Sequence, residues 1–126
     1  MLKITGFSLI EVLMSLLLIS LILFGLDAAQ LYSIQEAKTT YLFNTAMNQI
    51  NNAEERLAAL KTYEGLDEEI TFWNSENQTA LPSGFGNISG GFPNYQITIY
   101  WGDTSHDCTN QKIGASGCLR KIIQLA

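Results

Sequence analysis

Glu11 is the residue that asks for a chemical explanation first. It is the only charge in FSLIEVLMSLLLISLILFGL, a run of about twenty residues that starts at Phe7. A carboxylate at a bilayer centre costs about 2.5–3.5 kcal/mol on insertion scales, so an acid inside such a run signals a partner or a function. A second candidate pair is Cys108 and Cys118, the only two cysteines, separated by the polar, glycine-containing TNQKIGASG. In an oxidising compartment two such thiols join as a disulfide. Closing a loop of about 11 residues adds about 3 kcal/mol in the chain-entropy treatment. His106, the single histidine, lies beside Asp103 and Asp107, a set too small for a metal site of its own, so none is expected. No histidine, serine or cysteine stands in a nucleophile–base spacing, and an enzymatic role is not expected. Ser8, Ser15 and Ser20 sit within the apolar run, where hydroxyls bond back to the helix or pack against neighbours.

The element that must position Glu11 is a helix. About 20 apolar residues cross a hydrocarbon layer of about 30 Å. A cleaved secretory signal has a shorter apolar stretch and a small-x-small site after it. Here the stretch is longer, and cutting after Ala29 places Asp27 at the outer small-residue position. An uncleaved anchor is therefore expected, with Lys3 holding the N-terminus on the cytoplasmic side and the remainder translocated.

The order Gly6-Phe7-Ser8-Leu9-Ile10-Glu11 followed by VLMSLLLISLILFGL, behind a short leader bearing Lys3, resembles the class III signal of type IV pilins and pseudopilins. The resemblance implies that a prepilin peptidase cuts between Gly6 and Phe7 on the cytoplasmic face and methylates the new N-terminus at Phe7. It also implies that Glu11 is the intramembrane glutamate of that family. In a filament of staggered helices, Glu11 of one subunit then meets the N-terminal amine of a neighbour's Phe7. A lone carboxylate in an apolar core is costly and a paired one much less so, so the pair favours one stagger over others, as a buried polar residue fixes coiled-coil register. A plain anchor whose glutamate snorkels to the headgroups is the alternative. Many pilins carry a proline near the end of this segment; Asp27-Ala28-Ala29 stands here instead, which leaves open whether the helix melts in a filament.

Past the apolar run, Leu42, Ala46, Ile50, Ala53, Leu57 and Leu60 recur at steps of three and four, with Asn44, Asn48, Gln49, Asn52, Glu55 and Lys61 opposite. One helix is predicted from about Phe7 to Tyr63, ending near Gly65 as a C-cap. Residues 64–94 read as irregular, with turn chemistry in EGLDEE, NSENQT, LPSGFG and SGGFPN. Ile70-Thr71-Phe72-Trp73 reads as a short strand or a helical turn, and Gly86–Gly90 as an edge strand. Tyr95–Trp101 is the clearest strand, with Tyr95, Ile97, Ile99 and Trp101 on one face. Leu119–Leu125 forms a second strand, with Leu119, Ile123 and Leu125 on one side. The expected organisation is a leader (1–6), a transmembrane or filament-core helix (7–26), its amphipathic continuation (27–63) and a small β-rich domain (64–126). The fold class is α+β, pilin-like: a long helix packed on a small antiparallel sheet with a C-terminal disulfide loop. About 60 residues after the helix bury little core alone, so helix and disulfide are needed as supports. Phe85, Phe92, Tyr100 and Trp101 are candidates for a contact patch, although most are expected to pack the domain.

The chain has 126 residues and a net charge of −5. Between residues 54 and 76, Glu54, Glu55, Glu64, Asp67, Glu68, Glu69 and Glu76 face only Arg56 and Lys61. An acidic chain without a basic stripe argues against direct nucleic-acid binding, since phosphate contacts need clustered Lys and Arg. The order LPSGFG, NISGG, YQITIYW, GD and a last strand is similar to PilV-type minor pilins over about forty residues. That resemblance implies a subunit inserted in the bacterial inner membrane, with its N-terminus cytoplasmic and its C-terminal domain periplasmic, later carried on the pilus. There it primes or modifies pilus assembly. Implied partners are other minor pilins, the major pilin, the prepilin peptidase, the inner-membrane assembly platform and, before assembly, membrane lipid; no cofactor is implied. The alternatives are a minor pseudopilin of type II secretion and a pilus-borne adhesin or DNA-binding subunit.

Overall fold

The computed structural model describes residues 6–60, 65–102, 108–110 and 113–126. The element order is α1 (Leu9–Ala59), α2 (Leu66–Ala80), β1 (Phe85–Gly91), β2 (Asn94–Trp101) and β3 (Gly117–Gln124). The chain divides into two compact units, residues 1–37 and 38–126. The first contains α1 up to Ala37, including its apolar run. The second takes in the helix from Lys38 onward together with everything that follows it.

Helix α1 has 51 residues. From Leu9 to Leu26 its apolar side chains all lie open, as a helix apolar all round must when nothing in its own unit covers it. Within the second unit its buried positions are Leu42, Ala46, Ile50, Ala53 and Leu57, the stripe that the three-and-four spacing predicts. Asn44, Asn48 and Glu55 lie on the exposed side. Gln49 and Asn52, expected beside them, instead turn toward α2. The helix stops at Ala59, short of Tyr63. Lys61 and Tyr63 fall outside the described residues.

The largest departure from the sequence-based expectation is α2, which occupies 15 residues of the stretch read as irregular. Ile70–Trp73 is part of this helix and not a strand. Three acids, Asp67, Glu68 and Glu69, stand in its first turn, where carboxylates interact favourably with the helix dipole. Leu66, Ile70, Trp73 and Asn77 repeat at helical spacing and face inward; the last is wholly buried although polar. Gly65 has φ +94°, a conformation that favours glycine, but it leads into α2 and does not cap α1.

The sheet is antiparallel in the order β1-β2-β3. Tyr95, Ile97, Ile99 and Trp101 of β2 are buried on its inner face, as alternation predicts. Register places Ile123, Lys121, Leu119 and Gly117 beside them on β3, and Gly90, Ile88 and Gly86 on β1. The edge strand expected at Gly86–Gly90 is present and extends to Phe85–Gly91. Residues Phe92 and Pro93, joined by a cis peptide bond, turn the chain from β1 into β2. Both helices supply the inner face: Leu42, Ala46, Ile50, Ala53 and Leu57 from α1 and Trp73 from α2 form one core with Leu81 and the strands. Burying one such Leu or Ile side chain contributes about 1.5–3 kcal/mol. The structure is thus the expected α+β arrangement of a long apolar helix and a small antiparallel sheet, with a second helix added, and the Cys108–Cys118 disulfide is formed.

Gly86 is the point of closest approach between α2 and the sheet. A Cβ at this position would enter the Trp73 ring and lie 2.9 Å from the Asn77 amide nitrogen. Gly86→Ala is expected to destabilise the second unit by about 1–3 kcal/mol, as overpacked cores do. Denaturant unfolding of the solubilised full chain, followed by fluorescence of the buried Trp73 and Trp101, checks this; an unchanged midpoint would contradict the packing.

Candidate functional site

In the first unit, Gly6, Phe7 and Ser8 precede α1 in extended or irregular backbone, and all three are exposed. No atom lies within 4 Å of a Cβ built on Gly6. Among the described residues nothing covers the Gly6–Phe7 peptide bond. Lys3 lies outside the described residues.

Ser8 stands at the N-cap position, and its carbonyl accepts the amide N–H groups of Glu11 at 2.9 Å and Val12 at 3.3 Å. Glu11 is thus the third residue of the helix, and Ser8-Leu9-Ile10-Glu11 has the S-x-x-E spacing of a capping box. Neither side chain makes the reciprocal capping bonds. The helix start nevertheless favours a negative charge at this place. The carboxylate is exposed, and among the described residues it has no ion-pair partner. The helix thus begins at Leu9 and not at Phe7 as expected, and the N-cap position of Ser8 gives Glu11 a local electrostatic reason to stand in the first turn. The hydroxyls of Ser15 and Ser20 donate to the carbonyls of Glu11 and Leu17, each at 2.8 Å, and so are satisfied within the helix. The helix is long and apolar enough to cross a membrane.

In the second unit the charged groups are mostly engaged structurally. The Arg56 guanidinium donates through Nη1 to Glu69 at 3.1 Å, through Nη2 to both Glu76 oxygens at 3.0 Å, and through Nε to Asn52 Oδ1 at 3.1 Å. Its carbon lies 5.0 Å from the Phe72 ring centre, a cation–π distance. Arg56 therefore clamps α2 onto α1. Its importance was marked in the sequence by its isolation as one of two bases among seven acids. Lys121 falls on the inner face of β3, between Leu119 and Ile123, and its ammonium pairs with Glu54 and donates to Asn51 at 3.3 Å, both on α1. A charge inside an apolar alternation is thereby neutralised by the helix packed over it.

The remaining candidates have simple positions. Cys108 and Cys118 are both buried in their disulfide. Trp101 Nε1 donates to the Gly114 carbonyl at 3.0 Å, tying the disulfide loop to the core. His106, Asp103 and Asp107 lie outside the described residues. Among the described residues no three His, Cys, Asp or Glu side chains converge as a metal site. Of the four candidate patch aromatics, Trp101 is buried and Tyr100 half-buried, while Phe85 and Phe92 are exposed.

The arrangement around Glu11 presents an exposed carboxylate from the first turn of an apolar helix. The bare apolar surface from Leu9 to Leu26 requires either lipid or other helices around it. With the protein in lipid vesicles and an added protease, a protected fragment containing Leu9–Leu26 is expected; cleavage within that stretch would contradict the span. No family model, no curated protein and no solved structure matches this chain.

Proposed function

We propose that this chain is a PilV-type minor pilin. It inserts in the bacterial inner membrane by α1, with the N-terminus cytoplasmic and the disulfide-bearing domain periplasmic. Prepilin peptidase cuts between Gly6 and Phe7 and methylates Phe7. The processed subunit then enters a type IV pilus, where it primes or modifies assembly alongside other minor pilins and the major pilin, on the inner-membrane platform. Its role is structural and not catalytic.

The observation that carries this reading is the Glu11 carboxylate, without an ion-pair partner among the described residues, exposed at the start of an apolar helix and five residues beyond Gly6. In the membrane the carboxylate stands near the end of the span, where hydration limits its cost. In a filament the amine created at Phe7 by the cut supplies a positive charge on a neighbouring subunit. Cleavage thus generates the group that neutralises Glu11, which couples processing to assembly. The accessible Gly6–Phe7 bond supports the first step, and the apolar surface of α1 supports both environments. The compact second unit supports a role as a subunit head, because its polar clusters are spent on holding its own helices.

Intact-mass analysis of the protein from its native host tests the reading. A product beginning at N-methylated Phe7 is expected. A mature chain that retains residues 1–6 would overturn it.

A further inference from the structure

The two edges of the sheet are treated differently. At the β1 edge the Asn74 side-chain amide accepts from the Gly86 N–H at 2.7 Å and donates to the Gly86 carbonyl at 3.0 Å, so α2 engages that side. The other edge is β3. Its first half is occupied: Cys118 is buried in the disulfide, Arg120 is already engaged, and Lys121 turns inward to Glu54.

Beyond Lys121 the backbone edge is open. The Leu125 N–H donates to the Pro93 carbonyl at 2.8 Å, which continues the ladder with β2. In an antiparallel ladder the N–H and C=O of one residue point to the same side, and successive residues alternate. Ile123 and Leu125 therefore bond toward β2, while the N–H and C=O groups of Ile122, Gln124 and Ala126 point out of the sheet. All three residues are exposed, and among the described residues no turn, loop or helix backbone group bonds to these atoms. Proteins commonly blunt such an edge with charge, proline or a covering element. Ile122-Ile123-Gln124-Leu125-Ala126 has neither a charged side chain nor a proline.

The side chains along this edge determine what fits it. On the inner face Ile123 is buried and Leu125 is partly buried against the core. Leu125 and Ala126 also border an apolar groove with Leu57, Ala58, Leu60 and Phe92. On the outer face Ile122 is 74 % exposed. A strand laid beside β3 would set alternate side chains next to Leu125 and the groove, and the others next to Ile122 and Gln124. We propose that the β3 edge from Ile122 to Ala126 binds an extended segment of another protein as an added antiparallel strand. Backbone hydrogen bonds hold the segment, and its inward-facing apolar side chains select it. The site uses no residue of the first unit, so it stands apart from processing at Gly6 and from the pairing of Glu11.

Amide hydrogen exchange of the full chain in detergent micelles tests it, with a synthetic peptide of residues 121–126 as the extended segment. That peptide carries the same apolar alternation, and in a register centred on Gln124 its Ile123 lies beside Leu125 of the protein. At about ten times the peptide concentration that gives half the effect, the Ile122 and Gln124 amides are expected to exchange about tenfold more slowly, with those of α1 and α2 unchanged. In this register the peptide's own Gln124 N–H faces the edge and its Ile123 N–H faces away. N-methylation of the peptide at Gln124 is therefore expected to abolish the protection, and N-methylation at Ile123 to leave it. Both changes are made in the peptide, so the fold of the protein is the same in each arm. No slowing with the unmodified peptide, the same result from both methylated peptides, or protection that rises with protein concentration alone (a second copy on the edge) would each overturn the proposal. A chain found uncleaved at Gly6 would refute the pilin reading and leave this result unchanged.

Discussion

The burial of one stripe of α1 is the interaction on which the rest of the second unit depends. Leu42, Ala46, Ile50, Ala53 and Leu57 lie in the same core as Trp73, Trp101 and the inner faces of the strands. The sheet has only three strands, and one of them, β1, contributes little bulk because three of its seven residues are glycine. A sheet of that size does not bury enough apolar surface to offset its ordering entropy without a helix over it. Helix α1 supplies that cover, and the polar contacts are arranged to hold it: Lys121 reaches Glu54 from the sheet, and Arg56 reaches Glu69 and Glu76 on α2. Each such partly exposed pair is modest in energy. Their value here is positional, since they fix which face of α1 meets which element.

The same helix carries two different surfaces. Up to Leu26 it is apolar on every side and covered by nothing in its own unit; from Leu42 it is amphipathic and half covered. This contrast connects the fold to the proposed role. The amphipathic part makes a folded domain out of a short sequence. The apolar part needs an apolar environment that the chain itself does not provide, and Glu11 needs a partner that the described residues do not provide. A subunit that moves from lipid into a helical assembly meets both needs in turn.

Much of this was legible in the residues. The three-and-four spacing of Leu42 to Leu57 and the strict alternation of Tyr95 to Trp101 each record one face of a buried element, and both elements lie where those periods place them. The cysteine pair is bonded as its spacing and polar intervening loop suggested. Helix α2 was hidden for physical reasons. Only Leu66, Ile70 and Trp73 mark its inner stripe in apolar residues, and the next position is Asn77, a buried amide that reads as loop. The glycine before it and the Pro-Ser-Gly turn after it punctuate the segment, so its polar composition dominates the reading. Lys121 was hidden in the opposite way, as a charge in an apolar alternation that makes sense only once Glu54 is known to lie over it. Glu11 was conspicuous from the start. Its place as third residue of the helix was not read, because the helix was expected to begin at Phe7, and among the described residues it has no ion-pair partner.

The central claim is that Glu11 serves assembly and not insertion. Comparing Glu11→Ala with the unaltered protein in its native host, with incorporation into filaments measured against the amount inserted in the membrane, tests it most directly. The expected result is normal membrane insertion with incorporation reduced at least tenfold, about the effect of losing 1.4 kcal/mol from each subunit contact. Incorporation equal to that of the unaltered protein at equal membrane levels would contradict it.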